Sequence, residues 1–353
     1  MGGGPAGCAA ATVLAEGGVD VVFLERTAYD GTRIGETLPP EVRLPLERLG
    51  VWDRFEDDGH TASPGILAAW GQTEPYANDF ILNPYGCGWR VDRNRFDSML
   101  AARAREAGAA VSTGTTVDGC TRAPGRDWEL TVTSGGDQST LSAAVVVDAT
   151  GRSSSIWRAL GARRVVHDRL VALVGIMAPA DPGTVVDRRA LIEATPDGWW
   201  YSAWLPDSRL VLAFQTEAGP GLRSRWNEYL AAAPETAARA DTATSGEVRV
   251  VSANSHRSEP VAGKAWLAAG DAAAAHDPIT GMGIHWALES GIAAAEAILA
   301  ERAGDGSATA AYGRDTGERF ERYLATRTHY YRVENRWPDA PFWRRRHQLI
   351  GSH

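Results

Sequence analysis

The hydrophobic pattern changes period within the first 25 residues. Cys8 to Glu16 is alanine-rich and helix-forming, Gly17-Gly18 stops it, and Val19 to Leu24 is a β-branched apolar run closed by Glu25. Helix, glycine stop, apolar strand and terminal acid make the second half of a βαβ unit. Glu41 to Asp57 reads as one amphipathic helix, and Gly65 to Trp70 and Asp79 to Asn83 as short strands. Trp89 to Ala109 carries a helix that ends near Gly108. Val111 to Val117, Trp128 to Ser134 and Leu141 to Val147 have strand patterning, the last closing on Asp148-Ala149-Thr150-Gly151. From Val165 to Val251 strand runs alternate with turns, which suits a separate sheet. Ala265 to Ala269 is again a buried strand ending at Gly270-Asp271, a helix follows from about Gly283 to Ala303, and Ala308 to His347 is helical, arginine-rich and aromatic.

Composition narrows the class. A chain of 353 residues is long enough for two coupled modules. A net charge of −8 argues against a nucleic-acid or anionic-membrane footprint. Cys8, Cys87 and Cys120 are few, odd in number and widely spaced, so neither a disulfide framework nor a metal site is indicated. With no apolar run near the ~20 residues of a spanning helix and no leader pattern, the expectation is a soluble cytoplasmic protein. Lys264 is the only lysine, and 13 tryptophans stand against seven phenylalanines, either as core packing or as the lining of an aromatic cavity.

The opening Gly2-Gly3-Gly4-Pro5-Ala6-Gly7 satisfies G-x-G-x-x-G. The first glycine allows the tight turn, the second lets backbone approach a pyrophosphate, and the third lets helix and strand pack closely. The helix N-terminus supplies free N–H groups and a positive dipole end. Glu25 follows at about the ~20-residue interval expected of an acid that binds an adenosine ribose. A buried strand ordinarily precedes the first glycine, so a start assigned too far downstream, or an otherwise shortened chain, is expected here.

Three segments share one pattern, an apolar strand ending in a small-residue turn: the opening glycines, Asp148-Ala149-Thr150-Gly151, and Gly270-Asp271. The set resembles the flavoprotein monooxygenase superfamily with a glutathione-reductase-type FAD domain, which includes aromatic hydroxylases, flavin-dependent halogenases and geranylgeranyl reductases. The strongest motif is Gly270-Asp271-Ala272-Ala273 followed by Asp277-Pro278-Ile279-Thr280-Gly281-Met282-Gly283. The resemblance implies that Asp271 binds the ribityl chain of FAD and that Pro278, Gly281, Met282 and Gly283 lie against the isoalloxazine ring. Arg33-Ile34-Gly35-Glu36-Thr37 resembles the Gly-Glu-Ser/Thr loop beside the flavin. Arg93 with Phe96 and Asp97 resembles a helix start whose arginine reaches FAD. Arg26 falls either near the adenosine phosphates or at a solvated helix cap.

The implied fold is α/β: a Rossmann-like FAD-binding domain with an inserted, mostly antiparallel substrate sheet and a C-terminal helical tail. Residues 1–75, 90–164 and 257–305 are assigned to the FAD-binding domain, 76–89 and 165–256 to the substrate domain, and 306–353 to the tail. The phrases RIGETLPPEVR, NDFILNPYGCGW and GDAAAAHDPITGMGIHWALESG resemble a halogenase-like subgroup. It includes maturation factors of quinone-cofactor amine oxidases, some of which hydroxylate a peptidyl tryptophan. Halogenases of the tryptophan type need a lysine after the Gly-Glu loop and a Trp-x-Trp-x-Ile-Pro motif. Here that stretch has no lysine, and counting back from Pro206 puts Tyr201 and Ala203 in the two tryptophan places.

The implied function is an FAD-dependent monooxygenase acting on an electron-rich aromatic, an indole or peptidyl tryptophan, through a C4a-hydroperoxyflavin. The alternatives are an FAD-dependent reductase or desaturase of a hydrophobic substrate, a halogenase-like protein without the lysine, and a non-catalytic flavin-binding accessory protein. Electrons come from NAD(P)H or a partner flavin reductase. The candidate catalytic groups are His276, Asp277, Pro278 and Glu36, with His285 as a weaker general acid/base and Cys87 a passive small residue. Tyr330, Tyr331, Glu334, Arg336 and Trp337 belong to a packed terminal helix or close a cavity.

Overall fold

The computed structural model describes residues 1–153, 156, 158–179, 187–244 and 246–348. The first helix, Pro5–Glu16, starts where Pro5 has no N–H to lose and where Gly4 is extended (φ −81°, ψ −177°). Ala6, Ala9, Ala10 and Ala11 are buried, and small residues let it press against the long helix Gly283–Arg302. A Cβ on Gly291 would stand 2.2 Å from the Ala6 carbonyl oxygen, so only glycine permits that approach.

Beneath these helices, Val22–Leu24 pairs in parallel with Ala110–Ser112, and Val146–Asp148 with Trp266–Ala268. Met1 and Gly2 lie between the two pairs: the Gly2 N–H donates to Leu24 O (2.8 Å), the Met1 amino group to Val147 O (2.9 Å), and the Ala149 N–H to Met1 O (2.9 Å). All three small-residue turns therefore meet at one end of the strands. A Cβ on Gly2 would lie 2.3 Å from Ala149 O, and one on Gly270 would lie 2.9 Å from Ala6 Cβ. An antiparallel meander, Thr115–Arg122, Trp128–Ser134 and Asp137–Ala143, packs alongside, anchored by Trp128 Nε1 on Ala265 O at 2.7 Å.

Among the described residues the second sheet has eight strands and is antiparallel except where Gly65–Ala69 runs parallel to Ala190–Thr195. Neighbouring residues on Gly198–Trp204 face opposite layers. Trp200 packs with Phe214, Trp226 and Tyr229, while Trp199 packs with Tyr331, Phe342 and Trp343 of the C-terminal helices Ala308–Val333 and Pro341–Gln348. The tryptophans of this sheet are thus core residues on both faces, as the packing alternative had it.

Several sequence expectations are corrected. Glu41–Asp57 is not one helix: a 3₁₀ turn at Pro40–Val42 leads into Arg43–Arg48, and Trp52–Asp57 follows after Gly50, whose φ of +69° ends the first segment. Gly65–Ala69, expected within the FAD-binding part, pairs in parallel with Ala190–Thr195 of the second sheet. The strand expected at Asp79–Asn83 is Tyr76–Asp79, and the one at Val111–Val117 divides at Gly114 into two. The parts of the expected substrate domain at 180–186 and 245, and of the tail at 349–353, lie outside the described residues.

Candidate functional site

The Gly-rich turn is tied to Glu25. This buried carboxylate accepts from the Gly3 N–H (2.7 Å), the Thr27 N–H (2.9 Å), the Thr27 hydroxyl (2.5 Å) and Arg33 Nη2 (2.8 Å). Arg33 extends the chain by donating from Nη1 to Asp97 (2.8 Å), a fully buried side chain. Arg93 approaches Asp97 from its own helix (Nη2–Oδ2 2.9 Å) and holds the carbonyls of Ile34 and Gly35 at 2.6 and 3.0 Å. That helix begins at Arg93 because Asp92 caps it, accepting from the Asn94 and Arg95 N–H groups. Arg33, Glu36 and Arg93, brought together from two segments, line a cleft of about 190 Å³ closed on its far side by Val174, Ile176 and Val211 of the substrate sheet. Arg26 is exposed.

Glu36 is buried beside its own loop, with the Gly35 N–H donating to Oε2 at 3.1 Å. The Tyr201 hydroxyl hydrogen-bonds the Thr37 hydroxyl, and burial together with the neighbouring Glu36 charge pushes the Tyr201 pKa up. A tyrosine in a tryptophan place of the halogenase motif thus contacts the Gly-Glu-Thr loop directly. Lys264 lies at the opposite end of the Trp266–Ala268 strand from Gly270, on a surface groove with Glu259 and Arg314. Cys87 is half-buried, and burial raises its pKa, so it is a thiol at neutral pH.

The third segment runs from Gly270 to Gly283. The Asp271 carboxylate is 30% exposed and sits 3.1 Å from Arg152 Nε. Asp277 is buried: Oδ1 accepts the Ile279 N–H (3.0 Å) and caps the turn Pro278–Thr280, Oδ2 accepts the Tyr331 hydroxyl (2.8 Å), and burial pushes its pKa up to about 6. Gly281 is left-handed (φ +63°), which turns the chain into the long helix. His276 stacks on Tyr323 at 4.0 Å, without a hydrogen-bond partner for either ring nitrogen among the described residues, and burial lowers its pKa to about 3. His285 lies 3.8 Å from Glu289, and burial lowers its pKa too. Sequence reasoning missed Arg152, the basic residue that directly follows the Asp148-Ala149-Thr150-Gly151 turn.

The free space has the character of a dinucleotide cradle. Added Cβ atoms at Gly4, Gly281 and Gly283 would meet nothing within 4 Å, and neither Pro5–Glu16 nor Gly283–Arg302 has a side-chain N-cap. Glu25 joins Gly3, next to the first helix, to Arg33, and an added Cβ on Gly35 would lie 3.1 Å from Arg93 Nη1 and 4.0 Å from Ile284 in the first turn of the second helix. Two helix N-termini, open glycines and paired guanidinium groups suit the phosphates and ring of FAD. Residues 1–324 match the FAD binding domain family, and the chain belongs to it. It is 29% identical to LodB of Marinomonas mediterranea over 98% of this chain and 95% of that one. The solved flavin-dependent halogenase CmlS superposes with a TM-score of 0.87 at 28% identity, covering 98% of this chain and 66% of CmlS. The peptidyl tryptophan dihydroxylase QhpG, essential for tryptophylquinone cofactor biogenesis, superposes with a TM-score of 0.81 at 25% identity over 98% of this chain and 77% of that one.

The protein is therefore an FAD-dependent oxidoreductase of the halogenase and monooxygenase group. Among the described residues no helix is long and apolar enough to cross a membrane.

Proposed function

We propose that the protein is a monooxygenase that hydroxylates an electron-rich aromatic, an indole or a peptidyl tryptophan. The observation that carries this reading is the lack of a lysine anywhere between Gly35 and Asp97, with Lys264 at the far end of another strand. A lysine ammonium can lose its proton when desolvated and then act as a nucleophile toward an oxidised halogen; the arginines of this stretch stay protonated. Similarity to a peptidyl tryptophan dihydroxylase across 98% of the chain supports the substrate class.

In this reading the Gly2–Gly7 turn and the first helix hold the pyrophosphate, Glu25 the adenosine ribose, Asp271 the ribityl chain, and the Pro278–Gly283 loop the ring. FAD, once reduced, supplies the activation of oxygen. The chain supplies the rest. Arg33 and Arg93 stiffen the Gly35-Glu36-Thr37 loop, the buried Glu36 carboxylate lines the cleft, and Val174, Ile176 and Val211 keep water from that side.

The test is product mass after incubation of chemically reduced FAD, oxygen and the protein with indoles and with tryptophan-containing peptides. A gain of one oxygen, or two, supports hydroxylation. A change of two hydrogens moves the protein to the reductases, and flavin reoxidation without any product moves it to the accessory flavoproteins.

A further inference from the structure

Three segments far apart in the chain meet at one buried carboxylate. Asp277 Oδ2 accepts the Tyr331 hydroxyl at 2.8 Å, Oδ1 accepts the Ile279 N–H at 3.0 Å, and the Asp277 backbone N–H donates to Tyr323 Oη at 2.6 Å. Tyr331 Oη in turn accepts the indole N–H of Trp199 at 3.0 Å, across from the substrate sheet. Asp277, Tyr331 and Trp199 are each 2% exposed or less.

Hydrogen counting fixes the directions. An indole nitrogen only donates, so the Tyr331 oxygen is the acceptor there and its single proton is left for Asp277. Both Asp277 oxygens then face donors. Donors at both oxygens favour the ionised form, which accepts each of these hydrogen bonds more strongly than the acid does.

We propose that Tyr331, held by Trp199, is a positioning residue that keeps the Asp277 carboxylate ionised and thereby sets the Pro278–Gly283 loop from the substrate sheet and the C-terminal helix. Opposing forces make this control consequential. Burial and the charge of Asp168 raise the Asp277 pKa to about 6, against the Ile279 N–H, Arg327 and Arg346. Arg327 donates to Asp168 (2.6 Å) and Arg346 to Glu217 (2.7 Å) while its guanidinium lies over the Tyr331 ring at 5.3 Å, so the side-chain hydrogen bond to Asp277 comes from Tyr331. On its own segment His276 is neutral, with its pKa lowered to about 3, and from the helix side Tyr323 is held protonated by burial. His347 reaches the Tyr331 carbonyl, not its hydroxyl. Loss of the Asp277 charge weakens the cap on the Pro278–Thr280 turn, which leads through Gly281 and Met282 into the long helix.

What the loop touches rests on the flavin reading above; the titration of Asp277 does not. Two measurements separate them. In FAD-free protein, the melting temperature of the parent minus that of Asp277→Asn is followed from pH 4 to 8. Because the folded pKa is raised, the difference should fall as pH rises from about 4 to about 6 and level off above. The same difference in a Tyr331→Phe background should level off roughly one pH unit higher, since a hydrogen bond to the ionised form is gone. Trp199→Phe should move it the same way by less. A Tyr331→Phe curve lowered at every pH with its plateau unmoved overturns the proposal, because that is what packing alone would give.

The second measurement is FAD affinity by flavin fluorescence. It should weaken below about pH 6 in the parent, below about pH 7 in Tyr331→Phe, and show no such step in Asp277→Asn. A moved plateau with FAD affinity independent of pH would overturn the coupling to the loop while leaving the ionisation control standing; failure of the parent protein to bind FAD would instead count against the flavin reading.

Discussion

Arg152 Nε lies 3.1 Å from Asp271 Oδ2, and the remaining guanidinium nitrogens donate to the backbone carbonyls of Asn254 (2.7 Å) and His276. One side chain thus joins the turn after Asp148 to the turn after Gly270 and to the loop that enters Asp277. Asp271→Ala should weaken FAD by about 5- to 150-fold, the equivalent of ~1–3 kcal/mol for an unpaired buried hydroxyl. Arg152→Ala should also weaken it, by releasing Asp271, and Arg152→Lys should lie between, since an ammonium cannot reach all three acceptors at once. Fluorescence titration checks both positions; unchanged affinity in Asp271→Ala removes that residue from the site.

The glycines of the opening turn separate folding from binding. A Cβ on Gly7 would stand 1.9 Å from Gly2 O, so Gly7→Ala should lower the melting temperature of FAD-free protein. Gly4 has open space around its would-be Cβ and a φ of −81°, so Gly4→Ala should fold at least as stably as the parent. It should nonetheless bind FAD more weakly, because the methyl group enters the cradle. Melting curves with and without FAD distinguish the two; normal FAD binding by Gly4→Ala would mean the pyrophosphate lies elsewhere.

The opening turn was legible in the sequence because one of its demands is local: Gly7 must be a glycine where it meets the Gly2 carbonyl, whereas Gly2 answers to Ala149 and Gly270 to Ala6. The Asp277–Tyr331 contact was not, since 54 residues separate the partners and a tyrosine in a long aromatic helix looks like any packed one. The pairing of Gly65–Ala69 was missed for a similar reason, its parallel partner Ala190–Thr195 lying far along the chain. The amphipathic pattern of Glu41–Asp57 hid a break because its period survives Gly50 while the backbone does not.

Glu25 should tolerate neither of its simplest replacements. From sequence, Glu25→Gln ought to be mild, as an amide still offers the ribose an acceptor. In the structure both oxygens already face donors, from Gly3, Thr27 and Arg33. An amide NH₂ must oppose one of them, and Arg33 is left with Asp97 alone. Glu25→Gln should therefore lose most of the stability and FAD affinity that Glu25→Ala loses. Affinity close to the parent's would show that the carboxylate charge is unimportant there.

His276 should shape the acid limb of stability. Its pKa is lowered from 6.5 to about 3 by burial, so the folded state resists protonation and stability is lost as pH falls from about 6.5 toward 3. His276→Phe keeps a ring against Tyr323 and removes the group that charges. Melting temperatures across this range should then fall less steeply than in the parent; parallel curves would place the acid sensitivity in other residues.

The proposed chemistry is oxygen insertion at a flavin site without a halogenating lysine. Its most direct measurement is the mass spectrum of the product formed with reduced FAD, oxygen, an accepted indole or tryptophan peptide, and saturating bromide. The product should carry added oxygen and no bromine isotope doublet, the same as without bromide. A brominated product, persisting after Lys264→Ala, would contradict it.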